Sequence, residues 1–129
     1  MSTTFPYERL TYSPAAAVLP IVVSVPADNA SLGSQQVTAL CDTGADITCF
    51  PARMVAALGL LEVDEIEVSG YEGEPELKSV YAARLQVSGG PTQIVRAVVR
   101  DSDETLLGRD VLNSFRLEFD GPGLQLTLL

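Results

Sequence analysis

The apolar residues of this chain come in short runs, each soon closed by glycine, proline or a polar cluster. Ten glycines and eight prolines supply the breaks, and valine, isoleucine, leucine and threonine fill the runs between them. A chain punctuated this way makes short strands joined by turns, because long helices find few uninterrupted stretches. With 129 residues, 47% of them hydrophobic, it can build one packed core and is too short for two ordinary domains. The expected fold class is all-β.

Strand patterns fall at residues 20–25, 36–41, 47–50, 65–69, 77–87, 92–100, 115–119 and 124–128. Residues 36–41 alternate and then turn apolar, as a strand does on entering a core. Two helix candidates remain. One covers 52–60, with Pro51 at its N-terminal edge and Gly59 near its end; the other is one or two turns over 109–114. Residues 70–75, between two strand patterns, read as a hairpin tip. Residues 1–17, with Pro6 and Pro14, read as an irregular N-terminal arm, which leaves 18–129 as the domain. The alternating C-terminal stretch 124–129 suits either a strand at a subunit interface or one inside the chain's own sheet.

The chain has no histidine, which removes Ser-His-Asp and Cys-His catalysis together with histidine-based metal sites. Proton transfer would fall to carboxylates, or to a lysine or tyrosine. Cys41 and Cys49 alone are too few for a metal site, and in apolar surroundings they read as reduced and buried. The formal net charge of −9, from 17 acidic against 8 basic residues, opposes phosphate backbones and anionic lipid heads. Neither nucleic acid nor a membrane is an expected partner. The most apolar stretch, 15–25, contains Pro20 and falls short of the roughly 20 residues a membrane crossing needs. The first ten residues lack a basic segment followed by an apolar one, so the expected compartment is the cytoplasm.

The candidate chemistry lies in Leu40-Cys41-Asp42-Thr43-Gly44-Ala45-Asp46. Asp-Thr-Gly alone is ordinary turn chemistry. Here the triplet follows an apolar strand, precedes a small residue and a second acid, and leads into another apolar strand. Downstream stands Leu106-Leu107-Gly108, followed at once by Arg109-Asp110. With both anchors in place, the chain from Pro20 onward resembles the retroviral-type aspartic proteases, the retropepsins, and particularly their single-domain cellular and bacterial relatives.

That resemblance implies a closed, barrel-like β subunit whose triplet lies at the floor of a cleft under a hairpin flap. It implies an aspartic endopeptidase acting on extended polypeptide, with no cofactor and no metal. It also implies a homodimer, because such enzymes use two aspartates and this chain has one Asp-Thr-Gly. The same requirement follows from chemistry. Water is a poor nucleophile, so one group must take its proton while another donates to the peptide carbonyl. Two carboxylates about 3 Å apart resist carrying two charges and share one proton, which lets them fill both roles. A twofold axis between two copies of Asp42 creates that pair from one gene product.

By the same resemblance, Thr43 braces the paired loops across the axis, and Gly44 allows a sharp turn and close backbone approach. Ala45 offers no hydroxyl to stabilise an ionised aspartate, so the working range is expected to be less acidic than that of pepsin-like enzymes. Asp46 is expected to contact substrate backbone and to form an ion pair with Arg109, tying the loop to the short C-terminal helix. Gly70, Tyr71, Glu72 and Gly73 are the flap candidates for substrate contact, although this tip is less glycine-dense than a retroviral flap. The reading from another class is a catalytically silent domain of the same fold that binds peptides or dimerises.

Overall fold

The computed structural model describes residues 2–26, 33–69 and 73–129. Its barrel begins with β2 (Val18–Ser24) and β3 (Ser34–Cys41), an antiparallel pair in register from Val18 opposite Leu40 to Ser24 opposite Ser34. The remaining staves are β4 (Cys49–Pro51), β6 (Glu76–Val87), β7 (Thr92–Arg100) and β8 (Leu106–Leu107). They follow the order β2-β3-β8-β4-β7-β6, and β6 pairs back onto β2 through Ile21 opposite Val87, so the sheet closes on itself. Strand β5 (Glu62–Val68) hangs from the outer half of β6 as an edge. This is the all-β, retropepsin-like fold that the resemblance implies.

Period-two patterning fills the barrel. Leu19, Ile21 and Val23 of β2 and Ala83, Leu85 and Val87 of β6 are buried, while Pro20 points out to solvent. Phe50 of β4 and Leu107 of β8 are both fully buried at the centre. A Phe50→Ala change would cost about 3–5 kcal/mol, the usual range for emptying such a position. Helix α1 (Ala52–Leu58) closes one end of the barrel with Met54 and Val55. It starts after Pro51, whose φ of −61° suits a helix entrance, and stops at Gly59 in the left-handed region at φ 67°. The second helix, α2 (Arg109–Leu112), is one turn long and buries Val111 and Leu112.

Two elements depart from the sequence reading. Strand β8 lies in a stretch read only as a motif, and it fits between β3 and β4 with Cys41 opposite Leu107 and Cys49 opposite Leu106. Cys41 and Cys49 therefore flank the same strand, both half-buried and free. Two strand spacings put their backbones about 9–10 Å apart, beyond disulfide reach. The N-terminal residues, expected to be irregular, instead contribute β1 (Thr3–Pro6), which pairs antiparallel with β10 (Gln125–Leu128). On its other side β10 pairs with β9 (Leu117–Asp120).

Thr3, Thr4 and Phe5 are good strand formers, and β10 offers a free edge that repays extending them. Leu126, fully buried in the middle strand, fastens this small sheet to the barrel core. Of the two placements open for the C-terminal stretch, the structure therefore shows the one inside the chain's own sheet. The segment after β1 is also held down, by a bridge between Glu8 and Ala16 and by the Tyr12 hydroxyl donating to Glu104 at 2.6 Å. Among the described residues no helix is long and apolar enough to cross a membrane.

Candidate active site

Asp42 is the first residue beyond β3, and its backbone is still tied to the barrel: its N–H donates to the Leu107 carbonyl at 3.0 Å. The chain then turns sharply. Ala45 N–H donates to the Asp42 carbonyl at 3.2 Å, and Gly44 N–H donates to Asp42 Oδ1 at 2.9 Å. The second bond satisfies one carboxylate oxygen and fixes the side-chain rotamer. A Cβ on Gly44 would come within 3.1 Å of that oxygen, which is the local reason for glycine. Asp42 is half-buried and Thr43 and Gly44 are exposed, so the turn presents its tip at the surface of the subunit.

The returning limb of the turn is clamped from α2. Thr48, fully buried, donates its hydroxyl to Asp110 Oδ1 at 2.8 Å and its N–H to Asp110 Oδ2 at 3.1 Å. The same hydroxyl accepts from Gly108 N–H at 3.1 Å, while Asp110 Oδ1 also takes the Val111 N–H at 3.0 Å. A carboxylate in the first turn of a helix is well placed for such donors. Gly108 has no room for a side chain, since a Cβ there would meet the Ile47 carbonyl carbon at 2.7 Å. Sequence reasoning assigned no role to Thr48 or Asp110. The available signals were a lone hydroxyl inside the apolar run Ile47-Thr48-Cys49-Phe50 and an acid opening a helix.

Arg109 does reach the loop, by bonds other than the expected one. Its Nη1 donates to the Thr43 carbonyl at 2.8 Å, and its N–H donates to the Ala45 carbonyl at 2.8 Å. The expected Asp46–Arg109 ion pair is absent from the ion pairs of the described residues. One guanidinium N–H goes to a backbone oxygen within the turn, and Asp46 is exposed. The link between loop and helix survives, carried by carbonyl groups on one side and Asp110 on the other.

A cleft of about 760 Å³ opens beside the loop, bounded by Asp46 and Ile47, the inner face of β5, part of β7, and Asp110. Asp42 does not line it; the aspartate stands on the turn next to it. Of the residues expected to contact substrate, Asp46 borders this cleft and Gly73 is exposed in the connection between β5 and β6. Gly70, Tyr71 and Glu72 lie outside the described residues. Burial pushes the Cys41 thiol up to about 12, which makes this direct neighbour of Asp42 a packing group rather than a nucleophile. The Cys49 thiol is raised by burial too, opposed by Arg100 and supported by Asp110, Asp42 and Asp46.

A lone Asp-Thr-Gly turn, set between a core strand and an apolar-apolar-Gly strand in a closed six-stranded barrel, is the arrangement of the retropepsin-like aspartic protease class. Residues 29–114 match the family described as "gag-polyprotein putative aspartyl protease", and the chain belongs to that family. Comparison with curated proteins finds no match.

Solved structures share the fold. A foamy viral protease–reverse transcriptase, solved with an RNA/DNA hybrid, is 20% identical at a TM-score of 0.57; the alignment covers 78% of this chain but only 12% of that protein. A retropepsin-like aspartic protease from Rickettsia conorii is 17% identical at a TM-score of 0.63, covering 99% of this chain and 91% of the other. The EIAV protease, solved with the inhibitor HBY-793, is 19% identical at a TM-score of 0.50, covering 82% and 90% respectively.

Proposed function

We propose that two copies of this chain form one aspartic endopeptidase that hydrolyses peptide bonds in extended polypeptide. The observation carrying this reading is the Asp42 turn. Its carboxylate sits at the subunit surface with one oxygen held by Gly44 N–H, and the backbone around it is fixed by Leu107 and Arg109. A group so restrained is pre-organised for chemistry, yet it is only half of an acid–base pair. The second carboxylate comes from the partner copy, with the exposed Thr43 residues bracing the two turns.

In this mechanism the ionised Asp42 takes a proton from a water held between the two side chains. The protonated Asp42 of the other copy gives its proton to the peptide carbonyl oxygen as the water oxygen bonds to the carbonyl carbon. Collapse of the tetrahedral intermediate breaks the C–N bond, and a proton passes to the leaving nitrogen. Asp46 holds substrate backbone beside the turn. The segment joining β5 to β6 acts as the flap, Gly70, Tyr71, Glu72 and Gly73 contact substrate, and an extended peptide is held by strand-like hydrogen bonds.

The test compares cleavage of a denatured generic protein by wild type and Asp42→Asn between about pH 4 and 7, where such carboxylate pairs work. Wild type should cut and the variant should not. Equal activity of the two would end the assignment of Asp42, and a strict monomer in sedimentation under cutting conditions would end the shared site.

A further inference from the structure

We propose that the free edge of β9 is the surface on which a second copy of this chain docks, strand against strand and antiparallel. This rests on the two-copy endopeptidase reading and names the element that joins the copies.

The small sheet β1-β10-β9 ends in two edges, and its hydrogen bonds fix which backbone groups each edge offers. Leu129 N–H donates to the Arg116 carbonyl in register with the β9–β10 ladder. Arg116, Glu118 and Asp120 therefore direct their backbone groups into the sheet, while Leu117 and Phe119 direct theirs outward. On the other side Tyr7 N–H donates to the Leu124 carbonyl, so Thr4 and Pro6 hold the outward positions of β1. Proline has no N–H to give, which blunts β1 as an edge to extend. Strand β9 has no such guard. Among the described residues, the backbone N–H and C=O groups of Leu117 and Phe119 meet no partner.

The side chains favour the same edge. Phe119 shares the barrel side of the sheet with its fully buried neighbour Leu126, yet it is 43% exposed. On the opposite face Arg116 and Glu118 stand two residues apart, and neither takes part in the ion pairs formed among the described residues. About a twofold axis normal to the sheet, two β9 strands run antiparallel and keep their faces matched. With Leu117 of one copy opposite Leu117 of the other, Arg116 of each stands against Glu118 of its mate, and each exposed Phe119 ring gains Phe115 of the mate as an apolar neighbour. Registers that set Glu118 against Glu118 or Asp120 oppose like charges, so charge selects this one.

The active-site turn lies near this edge. Arg109, bonded to the Thr43 carbonyl, opens the single turn of α2, and the chain from there to Leu117 spans at most about 20 Å. One twofold axis then serves both the strand pair and the two copies of Asp42.

The measurement is sedimentation of the full-length chain, run beside the peptide-cleavage assay. Arg116→Glu leaves only glutamates around the paired strands and Glu118→Arg leaves only arginines, so each variant alone should associate about tenfold more weakly than wild type or worse. Mixed in equal amounts, the two variants restore opposite charges at both contacts and should pair about as tightly as wild type. A role confined to one subunit would give no such rescue. Should a charge variant fail to fold, Phe119→Ser, at an exposed position, decides the matter by weakening association about tenfold.

Association unchanged in the variants, or a mixture no tighter than its parts, overturns the proposal. A wild-type chain that stays monomeric overturns both readings. Cutting by wild type with association unchanged in every variant removes only this inference, whereas mixed variants that pair, in a protein that never cuts, remove only the endopeptidase reading.

Discussion

Asp110 grips Thr48 at two points, with one carboxylate oxygen on the hydroxyl at 2.8 Å and the other on the backbone N–H at 3.1 Å. Because the Thr48 hydroxyl also accepts from Gly108 N–H at 3.1 Å, one side chain joins the active-site limb to the entrance of α2. Thr48→Val keeps shape and volume but removes that junction. It strands a buried N–H and takes a donor from Asp110, so stability should fall by about 1–3 kcal/mol. Thr48→Ser retains the hydroxyl and should recover most of the loss. Urea denaturation of the two variants checks this, and a Thr48→Val protein as stable as wild type would contradict it.

The two glycines of the site should behave differently. A Cβ on Gly108 would meet three backbone atoms of Ile47 at 2.7–2.9 Å, so β8 and the turn must part to admit it. Gly108→Ala should lower the melting temperature sharply or prevent folding. A Cβ on Gly44 meets only the Asp42 carboxylate, at 3.1 Å, in an exposed turn. Gly44→Ala should therefore melt close to wild type while losing most peptide cleavage through displacement of Asp42. Calorimetry and a cleavage assay on both variants test the contrast.

Much of this architecture was legible in the sequence because it depends on local pattern. Residues 92–100 form β7 as read, and Pro51 and Gly59 mark the ends of α1 to within a residue. What escaped depends on contacts made far along the chain. Leu106 and Leu107 are too few to show a strand period, and they become β8 only because β3 and β4 leave a gap that fits them. Likewise Thr3, Thr4 and Phe5 are extended by β10, more than a hundred positions away, after Pro6 and Pro14 had suggested irregular chain.

At the site the motif singled out the turn that carries Asp42, and the link between turn and helix was anticipated in kind. Its chemistry was not. The family resemblance implied Asp46 with Arg109, whereas the geometry gave the guanidinium a carbonyl at Thr43 and the anchoring role to Asp110. Backbone acceptors carry no signature in a sequence.

The cysteines should prove inert in the folded protein. Burial pushes the Cys41 thiol up to about 12 and raises that of Cys49, so little thiolate exists near neutrality. Iodoacetamide at about pH 8 should modify neither in the native chain within a time that modifies both in denaturant. Of the two, Cys49 should react first, because it is the less deeply buried and only the Cys41 thiol is pushed up as far as about 12. Mass spectrometry of timed samples resolves the order, and rapid native labelling of Cys41 would contradict the packing described.

Tyr12 ties the N-terminal segment to the loop before β8, and its titration makes that tie sensitive to alkali. Burial, with the hydrogen bond to Glu104, raises its phenol from 10.0 to about 12. The folded state therefore holds this proton more tightly than the unfolded state. The resulting stabilisation is complete below the unfolded value, near pH 10.0, and is lost as pH rises through the folded value of about 12. Tyr12→Phe removes the bond to Glu104 but leaves the Arg100–Glu104 contact at 3.3 Å available. Near neutral pH the variant should be less stable than wild type by about 1 kcal/mol, as for a partly buried hydrogen bond to a charged acceptor. Wild type should then lose that advantage across the alkaline window while other tyrosines and lysines titrate equally in both proteins. Urea midpoints for the pair, measured on either side of the window, test the coupling; a gap that stays constant would show that the Tyr12 proton is not held by the fold.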